Sequence, residues 1–138
     1  MKKTFLLLLV GCLFMSFASV PIHAVEFSEI EAYRWSNVVS MRGSISFNGR
    51  TGNYVMTVEG ETNVSRISAT ATLYYKNASG NWIEIPKNWS YDVRDDILLV
   101  DESFTGVSGR EYKIVLDATV YLNGYGEPVT KTTYGTCP

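Results

Sequence analysis

The chain has 138 residues, with 12 Lys and Arg against 14 Asp and Glu, and only one His and two Cys. That is the length of a single domain, and the slight acidic excess without a basic cluster argues against a nucleic-acid or anionic-membrane surface. The lone histidine, His23, lies ahead of a proposed cleavage point, so the mature chain would carry no imidazole. Ser-His-Asp and Cys-His catalysis, His-ligated zinc and most general-base chemistry near neutral pH are then excluded.

Residues 1–24 read as a secretory signal peptide. Lys2 and Lys3 form a positive start, Phe5 to Val20 is apolar, and Pro21-Ile22-His23-Ala24 ends the run with a small residue at the cut. An uncleaved anchor is the alternative, since Phe5 to Ile22 approaches the roughly 20 apolar residues of a spanning helix. Leu9-Val10-Gly11-Cys12 has the form of a lipoprotein cleavage box. The apolar run before Cys12 is short for that role, and apolar residues follow where a polar tether would be needed. The expected organisation is a signal over 1–24, one β-sandwich domain over 25–134, and a tail over 135–138. The mature product is expected outside the cell, with no membrane span. Its one cysteine, Cys137, is either a thiol on a frayed tail or one half of an intermolecular disulfide.

Phe27 to Trp35 is the one helical candidate, with Ser28 and Glu31 spaced as a capping pair. Strand patterns follow. Trp35 to Met41 places Trp35, Val39 and Met41 in phase, and Gly43 to Phe47 is a second piece or its continuation. Asn48-Gly49 signals a hairpin. Tyr54, Met56 and Val58 alternate with Val55, Thr57 and Glu59. Ile67 to Lys76 alternates Ala69, Ala71, Leu73 and Tyr75 against Ser68, Thr70, Thr72 and Tyr74, with the β-branched and aromatic content of a strand. Trp82 to Ile85 returns after the turn at Asn77 to Asn81 and is expected to stop at Pro86. Lys87 to Asp96 reads as a loop or weak edge strand. Ile97 to Phe104 has Leu98, Val100 and Phe104 in phase. Between Gly109 and Leu122, the residues Tyr112, Ile114, Leu116, Ala118, Val120 and Leu122 fall on every second position, the period of a strand with one face buried. Asn123 to Pro128 reads as a turn and Val129 to Tyr134 as a Thr-rich final strand. Strands at short spacing with no helices between them predict an all-β, antiparallel β-sandwich.

Gly109-x-x-Tyr112-x-Ile114-x-Leu116-x-Ala118 resembles the strand F signature of fibronectin type III and immunoglobulin-like domains. The resemblance implies that Tyr112 makes a corner, its hydroxyl bonded to nearby backbone. It also implies an F–G loop at Asn123 to Gly126, strand G at Val129 to Tyr134, strand B at Tyr54 to Val58 and strand C at Ala69 to Lys76. Ser108 stands where the pattern has Pro, and the lead-in is longer. The mature chain also resembles an uncharacterised family of small secreted proteins of Gram-positive bacteria, through the Leu73-Tyr74-Tyr75-Lys76 to Trp82 pattern and the Gly109-x-x-Tyr112 strand. That resemblance implies no activity, catalytic residue, cofactor or metal.

Three groups of residues bear on function. Asp92, Asp95, Asp96, Asp101 and Glu102 crowd one segment; they read either as a calcium site or as a solvated loop with Arg94 as partner. Tyr74, Trp82, Trp89, Tyr91, Tyr121, Tyr125 and Tyr134 read either as an exposed platform for sugars or a partner protein, or as cross-strand packing. Tyr125, between Gly124 and Gly126, is the best single contact. Asn63, Asn77 and Asn88 have the form of glycosylation acceptors and are taken as turn residues. The expected function is a non-enzymatic, exported binding module for a protein or glycan. The alternatives are a small hydrolase using carboxylates or a Ser–Lys pair, and a structural subunit that associates through its last strand.

Overall fold

The computed structural model describes residues 35–138. The signal peptide and most of the Phe27 to Trp35 helix candidate lie outside the described residues. Seven strands follow one another: β1 (Val38–Asn48), β2 (Thr51–Gly60), β3 (Val64–Lys76), β4 (Trp82–Val93), β5 (Ile97–Thr105), β6 (Glu111–Leu122) and β7 (Tyr125–Thr136). They form two antiparallel sheets, ordered β1-β2-β5 and β4-β3-β6-β7. The all-β antiparallel sandwich expected from the alternation is the fold found.

Alternation decides what is buried. On β6, Tyr112, Ile114, Leu116, Ala118 and Val120 are buried; on β3, so are Ile67, Ala69, Ala71 and Leu73. Facing them from the other sheet are Tyr54, Met56 and Val58 of β2 and Leu98, Val100 and Phe104 of β5. Two-residue turns set the hairpin registers. Asn48 pairs with Thr51 around Gly49, and Leu122 pairs with Tyr125 around Asn123-Gly124. Asn123 and Gly124 both adopt left-handed φ (51° and 83°), the requirement of a type I′ hairpin turn. The F–G loop expected over Asn123 to Gly126 is therefore only Asn123-Gly124, and Tyr125 already belongs to β7.

Four expectations need correction. β1 begins at Val38, and its buried residues are Val38 and Met41, while Val39 is 54% exposed. A register shift between Val38 and Ser40 inserts an extra residue and moves the phase. Pro86 does not stop β4. Thr72 pairs with Asn88 and Tyr74 with Glu84, so Ile85, Pro86 and Lys87 bulge opposite Leu73 alone. β4 is an edge strand, where a residue without an N–H is tolerated at a bulge. Asn88 accordingly lies in β4 and not in a turn, whereas Asn77 does serve a turn, its Oδ1 accepting from the N–H groups of Ser79 and Asn81. The C-terminus is not a frayed tail. β7 runs to Thr136, and Cys137 is fully buried, its N–H donating to the Arg110 carbonyl. A disulfide from Cys137 to a second chain would require this end of β7 to leave the sandwich.

Tyr112 forms a corner. Its hydroxyl accepts a hydrogen bond from the Val107 N–H at 2.8 Å. Its ring packs against Phe104 and Phe47, with centroids 5.3 and 5.8 Å away. At the opposite end, the Ser36 and Asn37 N–H groups donate to the two carboxylate oxygens of Glu127 (2.8 and 2.7 Å), and Asn37 Nδ2 donates to the Val120 carbonyl at 2.9 Å. These bonds hold the lead-in to the β6–β7 hairpin.

Among the described residues, the buried hydroxyls Tyr54 Oη and Thr133 Oγ1 find no hydrogen-bond partner. Thr133→Val keeps the shape and removes the desolvated hydroxyl. It is expected to leave stability unchanged or raise it by up to about 1 kcal/mol, read as a thermal midpoint that does not fall.

Candidate binding face

In a strand, residues two apart share a face, and antiparallel register lines up those faces across the sheet. The outward rows of β4-β3-β6-β7 follow from the pairings. Trp82 neighbours Lys76, and Tyr74 neighbours Lys113, which neighbours Tyr134. One row on, Asn88, Thr72, Val115 and Thr132 are aligned; next come Ser90, Thr70, Asp117 and Thr130; then Asp92, Ser68 and Thr119. Tyr121 and Arg66 close the far end. The outer face of this sheet is thus aromatic at one end, hydroxyl-rich in the middle and aromatic again at the other end.

At the first end, Trp82 and Tyr134 stand on the two outermost strands, yet their rings approach to 5.8 Å over the intervening β3 and β6. Beneath them, Lys113 Nζ lies 4.8 Å from the Tyr74 ring and 5.0 Å from the Trp82 ring. Such cation–π contacts hold rings and amine in place at modest cost in water. Lys76 pairs with Glu111 at 3.1 Å and also lies near Trp82. Tyr134 keeps 62% of its surface exposed.

In the middle, a shallow groove of about 400 Å³ is lined by Ser68, Thr70, Ser90, Asp92, Asp117 and Thr119. Thr130 Oγ1 donates to Asp117 at 2.6 Å. At the far end, Arg66 makes a forked pair with Asp92, at 2.8 and 2.6 Å, and its guanidinium lies 5.3 Å from the Tyr121 ring centre. The hydrogen bond from Arg66 holds the Asp92 carboxyl below the usual carboxylate range.

This arrangement divides the aromatics named from sequence. Tyr74, Trp82, Tyr121 and Tyr134 share the outer face. Trp89 and Tyr91 point inward, with Trp89 5.9 Å from Tyr54. Tyr125 stands apart at the hairpin, 79% exposed. The acidic segment disperses. Asp92 is bound to Arg66 and not to the expected partner Arg94, Asp101 is exposed, and Glu102 turns inward to accept a hydrogen bond from Tyr91 Oη at 3.3 Å. Among the described residues, no three His, Cys, Asp or Glu side chains are gathered as a metal site would need. Lys113, Thr72 and Thr130 belong to the face but were not singled out from sequence. Their signal is the polar half of the β3 and β6 alternation for Thr72 and Lys113, and the Thr-rich run of β7 for Thr130.

Burial, reinforced by the Glu102 charge, pushes the Tyr54 and Tyr91 hydroxyls well above the ordinary phenol value of about 10. A raised folded-state value means that the neutral phenol's contribution is intact below pH 10 or so. It is lost as pH climbs from the unfolded toward the folded value. Stability is therefore expected to fall on the alkaline side. Absorbance titration should show these two phenols ionising above the ordinary phenol range, or only with unfolding.

No family model and no curated protein matches the chain. Among solved structures it is similar to a Parabacteroides merdae β-glucuronidase, at 12% identity and a TM-score of 0.39, over 70% of this chain and 13% of that one. It is also similar to Spo0M, a sporulation control protein of Bacillus subtilis, at 10% identity and a TM-score of 0.39, over 75% of this chain and 51% of that one. For CsgH of R. palustris the identity is 13% and the TM-score 0.35, over 69% and 90%. The chain spans less than two thirds of the length of the first two. Likeness at this level carries no statement about function.

Proposed function

We propose that this protein is an exported, non-enzymatic binding module that holds a glycan on the outer face of β4-β3-β6-β7. One observation carries the reading: Tyr74, Trp82, Tyr121 and Tyr134, drawn from all four strands, flank a hydroxyl-lined groove on one exposed sheet. Sugar rings have apolar faces and hydroxylated edges. Aromatic side chains with polar tips offer the matching apolar surface, and Ser, Thr and Asp between them offer donors and acceptors.

The carboxylates of the groove favour binding over hydrolysis. Asp92 is held by Arg66 and Asp117 by Thr130. Export rests on the Lys2-Lys3, apolar and Ala24 pattern. A fibronectin type III-like assignment is supported by the strand order, in which β1-β2-β5 and β4-β3-β6-β7 correspond to A-B-E and C′-C-F-G, and by the Tyr112 corner. Kinship with the small secreted Gram-positive proteins rests on the Leu73 to Trp82 pattern and the Gly109-x-x-Tyr112 strand. The sandwich itself is compatible with many functions, so the face bears the weight of the proposal.

The test is retention of the purified chain on immobilised polysaccharides and cell-wall fractions. Retention that free oligosaccharide displaces supports the reading. Passage through every fraction, or retention that free sugar leaves unaffected, contradicts it.

A further inference from the structure

The four edges of the two sheets are not equally guarded. Unpaired edge backbone invites another strand, and proteins usually block it with Pro, bulges or Lys. β4 carries Pro86 and its bulge. β7 carries Pro128 and Lys131. β1 carries the irregularity at Val38 to Ser40 and lies beside β7. β5, Ile97–Thr105, has no Pro, Gly or Lys and pairs with β2 without a break in register.

The hydrogen bonds assign which groups of β5 are free. The Gly60 N–H donates to the Asp96 carbonyl, and the Gly106 N–H donates to the Arg50 carbonyl. The even-numbered residues therefore face β2, and the N–H and C=O groups of Ile97, Leu99, Asp101 and Ser103 face the open edge. Lys87 Nζ donates to the Ser103 carbonyl at 3.3 Å, which agrees with that parity and closes one end of the edge. Among the described residues, no strand pairs with the edge from Ile97 to Asp101. The side chains of these odd residues lie on the outer face, where Ile97 is 51% and Leu99 65% exposed, opposite Glu59 and Thr57 of β2, with Val55 opposite Asp101. Asp101 follows two residues on, and Asp95 and Asp96 precede.

We infer that the β5 edge accepts an extended segment of another protein, added antiparallel as a fourth strand, with apolar residues beside Ile97 and Leu99 and a basic residue beside Asp101. Backbone bonding would supply the affinity and alternate side chains the choice of partner. A second copy of β5 is a poor occupant. Pairing centred on the whole strand sets Asp101 against Asp101, and like charges directly opposite are destabilising, while pairing centred on the open stretch sets each Asp101 against the apolar Ile97 of the other copy. The acidic residue thus selects a basic strand and discourages self-pairing. This edge lies on the opposite sheet from the proposed glycan face, so the two readings stand separately.

The probe is the blocked peptide acetyl-Lys-Thr-Val-Thr-Val-Thr-amide, whose Lys meets Asp101 when its valines meet Leu99 and Ile97. A second peptide has Glu in place of Lys. Amide shifts and hydrogen exchange of the full chain are followed during titration. Expected are saturable shifts and slowed exchange at Ile97, Leu99 and Asp101, with at least tenfold weaker binding of the Glu peptide. Asp101→Lys is expected to reverse that preference. Leu99→Pro removes an outward N–H that the β2 ladder does not use, and should weaken the Lys peptide at least tenfold while glycan retention is unchanged. Shifts at the β4 or β7 edge, equal binding of both peptides, or no binding would overturn the inference. So would self-association of the unliganded chain that Leu99→Pro abolishes, because the occupant would then be a second copy.

Discussion

Tyr112→Ala is expected to cost about 3–5 kcal/mol, the range for removing a large buried aromatic from a core. The side chain is 2% exposed and meets both Phe47 and Phe104. Its loss opens a cavity between the sheets where β7 ends over Cys137. It also leaves the Val107 N–H, now bonded at 2.8 Å, without its acceptor. Tyr112→Phe separates the two contributions. It keeps the ring and deletes only the hydroxyl, so it should cost about 1–3 kcal/mol, the range for an orphaned, partly buried donor. For a domain of this size the alanine variant should lower the thermal midpoint by on the order of 10 °C or more, and the phenylalanine variant by less. Equal midpoints for wild type and Tyr112→Phe would mean that the corner bond contributes nothing.

The second large effect concerns binding. Trp82→Ala should weaken glycan binding by about 2 kcal/mol, roughly thirtyfold, the scale of an aromatic anchor at the centre of a contact. Trp82 does not belong to the buried core, so the fold should persist with a small loss of stability. Removing its ring also uncovers Lys113 Nζ, 5.0 Å away, and frees Tyr134. Trp89→Ala is the useful contrast. Trp89 packs inward near Tyr54, so it should lower stability and leave the affinity of the remaining folded protein within about threefold of wild type, the equivalent of some 0.6 kcal/mol. If both variants lose affinity equally, the outer face is not what distinguishes them.

Much of the fold could be read from residue order because its central strands are buried on one side only. Tyr112 to Val120 on β6 and Ile67 to Leu73 on β3 alternate without interruption, and that alternation is also the physical rule that buries them. The edges were harder. β4 holds a proline and a two-residue excess over β3, features that local pattern reads as an end and that only the partner strand shows to be a bulge. On β1 the expected phase holds from Met41 through Ile45 and Phe47 and fails only at Val39, because the irregularity at Val38 to Ser40 turns Val38 inward instead. The end of β7 was taken for a tail because Gly135, Thr136 and Cys137 are too few to show a period. Gly135 is half-buried against Ile45 and Phe47 and Cys137 is buried beside Gly106, contacts far away in sequence, while Thr136 between them is exposed.

The candidate face was half legible. Tyr74 and Tyr121 could be placed outward from their own strands. Bringing Trp82 and Tyr134 together over Lys113 depends on cross-strand register, which no single stretch contains. Trp82 falls on an even position and Trp89 and Tyr91 on odd ones, so one continuous β4 separates them to opposite faces. The assumed stop at Pro86 hid that distinction. The carboxylates misled in the opposite way. Five of them within eleven residues look like a cluster in one dimension, but strand alternation sends Asp101 and Glu102 to opposite faces.

Titration of the isotope-labelled chain with a retained oligosaccharide, read residue by residue in backbone and Trp side-chain resonances, tests the binding face most directly. The shifts should concentrate at Tyr74, Trp82, Lys113 and Tyr134 and continue through Thr70 and Asp117, leaving β1, β2 and β5 unmoved. Shifts confined to the β1-β2-β5 sheet, or to the hairpin tip at Tyr125, would contradict it.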